Sequence, residues 1–159
     1  MNILTHLHVV ISLAGIVFGF IAVGGFLAGR NLTGWSALFL WTTIATSVTG
    51  FIFFPLQPFR PAHAVGILSL IVLGLAAHAL YIRHLAGAAR KTFLICSIIS
   101  LYFNVFVGVV QMFEKVTSLK AITPTQTEPP FAIAQLIVLI LFIVLGVQAV
   151  KSPNAEISS

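Results

Sequence analysis

Residues 131–150 read FAIAQLIVLILFIVLGVQAV, a run with no charged side chain and with only Gln135 and Gln148 as polar ones. About 20 apolar residues at a rise of 1.5 Å each cross the roughly 30 Å hydrocarbon core of a bilayer. The run therefore reads as a transmembrane helix. A membrane strand would need about ten residues of strict alternation, which is not the pattern here. Working outward, windows of the same character lie at about 7–28, 36–54, 62–82 and 92–113. Polar or proline-bearing segments separate them: Arg30 to Gly34, Pro55 to Pro61, Arg83 to Lys91 and Glu114 to Pro130. The sequence predicts an all-α integral membrane protein, one domain with five transmembrane helices that use nearly all of the 159 residues. No internal repeat points to a transporter built from duplicated halves.

Composition leads to the same class. The chain is 59% hydrophobic and 7% charged, with a mean hydropathy of +1.12, whereas a soluble domain carries about a quarter charged residues. A soluble enzyme and a disordered tail are excluded. The net charge of +5 would suit nucleic acid, but the basic residues stand singly between apolar runs and form no patch. The expected environment is the lipid bilayer, with no nucleic-acid partner. Arg30, Arg83, Arg90, Lys91 and Lys151 fall on the C-terminal side of the membrane, and Arg60, Lys115 and Lys120 on the other. Positive charge favours the cytoplasm, so the expectation is an N-terminus outside and a C-terminus inside. The first span lacks a basic segment before it and reads as an uncleaved helix. Cys96 is the lone cysteine, so neither a disulfide framework nor a cysteine zinc cluster is expected. The sequon Asn31-Leu32-Thr33 falls in a loop predicted to be cytoplasmic and is discounted.

Polar side chains in a membrane are costly and face the bundle interior, so their helical phase is informative. On the first span His8, Ser12, Gly15 and Gly19 recur at spacings of four, three and four, forming one stripe. His6 points about 200° away from His8. Gly15 and Gly19 fit the small-xxx-small pattern of closely packed helices, and packing is their expected role. On the third span His63, Leu70, Gly74 and Tyr81 share a face, with His78 nearer the inner side and His84 an interfacial residue. The fourth span carries Ser97, Ser100, Asn104, Gly108, Gln111 and Lys115 in one stripe, with Glu114 beside its end. Asn104 near mid-membrane needs a partner, and the second span, with Thr42, Thr43, Thr46, Ser47 and Thr49, is expected to supply it. The proline-rich loop 114–130 is expected to be extended and rigid, and a loop of this length is a candidate lid over the bundle mouth. His6, His8, His63, Gln111, Glu114, Glu128 and Gln135 all fall near the outer face, where a site is therefore expected. The inner face, with its Arg, Lys, Trp35 and Trp41, reads as ordinary interface anchoring.

Three stretches carry a resemblance: Thr123 to Gln135 (TPTQTEPPFAIAQ), Asn104-Val105-Phe106-Val107 with Val110-Gln111, and Ala45 to Phe51 (ATSVTGF). They resemble segments of small multi-pass bacterial inner-membrane proteins that have no assigned activity. The resemblance covers most of the chain. It implies a bacterial source and the inner membrane, and brings no chemistry with it.

Four functions compete. The first is a membrane-embedded redox protein in which His8 and His63 are axial ligands of one haem b, with Gln111 and Glu114 as the catalytic pair that binds or deprotonates a quinol. The second is a metal site without haem, where His8, His63 and Glu114, with Met112 or His6, hold copper, zinc or iron. In the third, the polar stripe of the fourth span lines a cavity for a small ligand, and five helices would serve transport as a homo-oligomer. The fourth is an accessory subunit for a partner membrane protein, its polar residues serving only to specify helix packing. Haem predicts a red protein, and a metal predicts stoichiometric metal on elemental analysis. A bound quinone predicts a shifted melting temperature.

Overall fold

The structure, a computed structural model, describes residues 3–30, 33–53 and 61–152. Among the described residues there is no strand, and five helices are long and apolar enough to cross a membrane. They are α1 (Ile3–Leu27), α2 (Thr33–Phe53), α3 (Pro61–Ala77), α4 (Ala88–Lys115) and α6 (Pro129–Lys151), with a short helix α5 (Thr117–Ile122) before the last. The all-α membrane class and the number of spans are as the sequence predicts. Asn31 and Leu32 of the discounted sequon, the linker 54–60 with Arg60, and the tail 153–159 lie outside the described residues.

The helices run past the apolar windows. The first begins at Ile3 rather than near Leu7, and α4 begins at Ala88 and ends at Lys115 rather than spanning 92–113. Apolar length reports the hydrocarbon thickness, but backbone hydrogen bonding has no reason to stop there. At 28 residues, α4 is about 42 Å long against a core of about 30 Å. Its charged ends, Arg90 and Lys91 at one and Glu114 and Lys115 at the other, therefore project into the polar interface as helix.

A π-turn over His78–Ile82 closes α3, with the Arg83 amide donating to the His78 carbonyl at 3.0 Å. The chain then reverses through His84 and Leu85 at φ +47° and +57°, left-handed conformations that disfavour residues with a Cβ. The buried face of α3 follows Ser69, Leu73, Ala76 and Leu80, at spacings of four, three and four. The expected face of His63, Leu70, Gly74 and Tyr81 is not continuous. His63 is buried, whereas Gly74 and Tyr81 point outward, and a Cβ on Gly74 would meet nothing within 4 Å.

Consecutive helices α1 to α4 pack side by side, and α4 closes the ring against α1. Among the described residues α1 and α3 do not pack along one another, because α2 and α4 occupy the nearer diagonal. Phe26, Phe39, Leu40, Leu73, Phe93, Leu94 and Leu101 fill the interior with at most 1% exposure each. The rings of Phe26 and Phe93 meet edge-on at 5.5 Å. The last span packs outside this ring against α4 and α1 and buries only Phe142 and Ala149. Its exposed Ile133, Leu136, Ile137, Ile140 and Ile143 suit lipid, which is as apolar as they are.

The loop after α4 differs from the extended run expected. Residues 117–122 are helical, and the Glu128 carboxylate then gathers the next turn. It accepts hydrogen bonds from the Thr125 amide at 3.1 Å, the Thr125 hydroxyl at 2.9 Å and the Thr127 amide at 3.1 Å. This clasp holds Gln126 at φ +59° with its Nε2 donating to the Val110 carbonyl of α4 at 3.3 Å. One turn lower on α4, Gln135 Nε2 donates to the Phe106 carbonyl at 3.2 Å, and Phe113 meets Phe131 edge-on at 5.5 Å. The prolines at the start of α6 need no amide partner there. The segment folds back onto α4 as a clamp between two spans.

Partial burial alone would push the Glu128 carboxyl up, but hydrogen bonds from its own amide, from the Thr125 hydroxyl and from the Thr125 and Thr127 amides hold it below the usual carboxylate range. A depressed folded value means that the clasp contributes stability above the ordinary glutamate value of about 4.3. That contribution is lost as the pH falls through the lower folded value. Hydrogen exchange at the Thr125 and Thr127 amides should accelerate over that acid window in the parent chain. In Glu128→Gln it should be faster at neutral pH and show no such window. Parent-like protection in the variant would remove the clasp.

Candidate functional site

The second helix sets the polarity of the bundle interior. Its threonines spend their hydroxyl hydrogens on their own helix: Thr42 donates to the Leu38 carbonyl at 2.6 Å, Thr46 to Thr42 at 2.9 Å, and Thr49 to Ala45 at 2.7 Å. Such back-bonding satisfies a hydroxyl in a low-dielectric setting and leaves its oxygen as an acceptor. Thr49 Oγ1 lies 2.8 Å from His8 Nδ1. With the Thr49 hydrogen directed at Ala45, the Thr49 oxygen accepts from the ring in the neutral His8 tautomer that carries its proton on Nδ1. Gly50 lies beside the ring, where a Cβ would be in ordinary contact with His8 Cε1 at 3.6 Å. On α1 itself, the Ser12 hydroxyl donates to the His8 carbonyl at 2.7 Å.

Two turns deeper, α1, α2 and α4 meet at Gly15. A Cβ on Gly15 would lie 3.3 Å from Asn104 Nδ2 and from the Thr42 and Thr43 hydroxyl oxygens. Asn104 Nδ2 donates to Thr43 Oγ1 at 3.4 Å, the interhelical bond expected from the sequence. The α1 stripe of His8, Ser12, Gly15 and Gly19 faces the bundle as expected, while His6 is exposed. The stripe of α4 also turns inward, with Ser97 and Ser100 fully buried. Their hydroxyls have no hydrogen-bond partner among the described residues.

His63 stands at the start of α3, 5% exposed, its ring stacked on Phe51 of α2 with centroids 6.1 Å apart and planes inclined by 25°. Gly66 makes room for the same ring, for a Cβ there would be 3.0 Å from Phe51 Cζ. Thr49 and Phe51, which hold His8 and His63, are two residues apart on one helix and so differ by about 200° in direction. The two histidines thus pack on different flanks of α2.

Fit to a haem is therefore uneven. The contact with Thr49 orients the His8 ring, as hydrogen-bond partners do for ligating histidines. His63 lies on a helix that does not pack along α1 and on a different flank of α2 from His8. Among the described residues no three His, Cys, Asp or Glu side chains gather into a metal-binding group, so His8, His63 and Glu114 do not form one cluster.

At the same end, Gln111 Nε2 lies 3.4 Å from Glu114 Oε2, a long contact, and Glu114 and Lys115 are exposed. The structure brings His8, Gln111, Glu114 and Lys115 to one end of the bundle, His8 half-buried between helices and the others at the rim. Sequence reasoning missed the opposite end, where Arg90 has Nε and Nη2 buried without a hydrogen-bond partner among the described residues. The available signal was the doublet Arg90-Lys91 following Gly87. The chain matches no protein-family model, no curated protein and no solved structure.

Proposed function

We propose that this chain is a membrane-embedded redox protein that binds a quinone-class headgroup at the end of the bundle where α1 begins and α4 ends. The observation that supports this is the His8–Thr49 hydrogen bond, which holds an imidazole in place between α1 and α2 at that end of the bundle. A quinol hydroxyl donates to Nε2. The exposed Glu114, with Gln111 beside it, provides a route for the proton to water. Asn104, Thr43, Gly15 and Gly19 belong to helix packing and are not part of the site. With the N-terminus outside, as the charge bias predicts, this end faces away from the cytoplasm of a bacterial inner membrane.

A short-chain quinone should raise the melting temperature of the detergent-solubilised protein; at a hundredfold excess over Kd the stabilisation is about 2.7 kcal/mol. His8→Leu should abolish the shift, and Thr49→Val, which removes the hydrogen bond to the ring, should weaken it about tenfold in Kd, the value of one hydrogen bond. No shift at saturating quinone in the parent chain would falsify the proposal.

A second reading has one observation in its favour: the anchored Nδ1 of His8 also suits an axial ligand, with His63 as the other, and a b-type haem held there would supply one-electron chemistry. Protein purified from haem-replete cells would then show an intense Soret band that shifts on dithionite reduction. The band would disappear in His8→Ala and His63→Ala and persist in His84→Ala. A featureless spectrum from the parent chain removes haem and with it the electron acceptor, and what then stands is quinone binding without electron transfer.

A further inference from the structure

The end of the bundle away from His8 carries two adjoining clefts. The larger, about 420 Å³, is an apolar groove between α4 and α6, walled by Ile98, Tyr102, Phe142, Gly146 and Val150, with Lys151 at its end. The smaller, about 230 Å³, is lined by Gly87, Arg90, Lys91, Leu94 and Val150. Val150 borders both, so the apolar groove opens into a basic cleft. Acidic side chains do not balance it among the described residues: Glu114 lies 24 residues from Arg90 along α4, about 36 Å, and Glu128 precedes the far end of α6. Arg90 Nε and Nη2 are buried with no hydrogen-bond partner among the described residues. A desolvated guanidinium without an acceptor is unfavourable, and an anion in the cleft removes that cost.

We propose that these clefts form a binding site for one anionic phospholipid, its phosphate on Arg90, Lys91 and Lys151 and one acyl chain along the α4–α6 groove. Length supports a lipid tail. From Leu139 to Val150 the groove follows α6 for eleven residues, about 16 Å, half of a hydrocarbon core of about 30 Å and so the depth of one leaflet. Charge selects the headgroup. Three cations without a neighbouring carboxylate among the described residues suit a phosphate of net negative charge and offer nothing to the ammonium of a zwitterionic lipid. Basic pockets between transmembrane helices bind such headgroups. The site lies at the opposite end from the proposed quinone site and does not depend on it.

The test uses the full chain in nanodiscs of phosphatidylcholine alone or with cardiolipin, read by thermal stability, and in detergent with added cardiolipin, read by native mass spectrometry. Cardiolipin should raise the melting temperature and leave one lipid adduct. Lys91→Gln/Lys151→Gln, both exposed and safe for folding, should weaken binding about thirty-fold, at about five-fold per charge. Arg90→Gln should weaken it further, and Gly146→Leu, which fills the groove, should also displace the adduct. Arg30→Gln/Arg83→Gln removes two exposed charges at the same end outside the clefts and should leave the adduct in place. Equal stabilisation by phosphatidylcholine, equal loss in the Arg30/Arg83 control, or the same shift from inorganic phosphate would each overturn the lipid assignment. So would a dimer without lipid that Gly146→Leu dissociates, because the groove would then hold a second copy of the chain.

Discussion

Gly19→Val is expected to yield no folded bundle. A Cβ at Gly19 would stand 2.5 Å from Leu101 Cδ1 and 2.9 Å from Phe39 Cδ2, closer than real atoms approach. Both neighbours end in flexible side chains, but neither can withdraw: Leu101 is 0% and Phe39 1% exposed, each packed on every side. Three helices meet at this contact, so relief requires α1 to move off α2 and α4 together. Overpacking a well-filled core costs about 1–3 kcal/mol for a small addition. Gly19→Ala should therefore fold with a lowered melting temperature, and valine, with two more carbons on a stiff χ1, should exceed what the bundle tolerates. The measurement is the monodisperse fraction on size exclusion after detergent extraction, followed by thermal melting. Gly74→Ala is the control: open space surrounds that position, and the helix should gain up to about 1 kcal/mol. If Gly19→Val behaved like Gly74→Ala, the α1–α2–α4 junction described here would be wrong.

The contrast between Gly19 and Gly74 shows what the sequence could and could not reveal. Five spans were legible because bilayer thickness imposes a length on apolar runs, and the α1 stripe because a period of 3.6 residues fixes which side chains share a face. The Asn104–Thr43 bond was legible because a mid-membrane amide needs a partner and α2 held the threonines. Gly74 was placed on a functional face because phase alone does not say which side of a helix is inside. The π-turn at His78–Ile82 has no composition signal, and it ends the phase on which the His63 to Tyr81 alignment relied. Helix order around the ring was likewise invisible. Equal depth for His8 and His63 says nothing about α2 standing between them. Arg90 reads in sequence as a topology anchor like Arg83. The burial of its Nε and Nη2 in the folded bundle distinguishes the two.

Ser97→Ala/Ser100→Ala is expected to raise the stability of the bundle. Several hydroxyls in the spans find acceptors close at hand: Ser12, Thr42, Thr46 and Thr49 all donate to carbonyls of their own helices. Ser97 and Ser100 are 1% and 0% exposed and have no such partner among the described residues. An unsatisfied buried polar group costs about 1–3 kcal/mol, while alanine keeps nearly the same volume and is the better helix former. Together the two changes should gain on the order of 2–4 kcal/mol, and at about 2–4 °C per kcal/mol for a chain of this size the melting temperature should rise by several degrees. Neither serine belongs to the His8 end or to the Arg90 clefts, so the quinone shift and the cardiolipin adduct should persist in the double variant. A lower melting temperature would show that the two hydroxyls stabilise the native bundle. Loss of the quinone shift alone would instead extend the binding site down the α4 stripe, past Asn104, into the centre of the bundle.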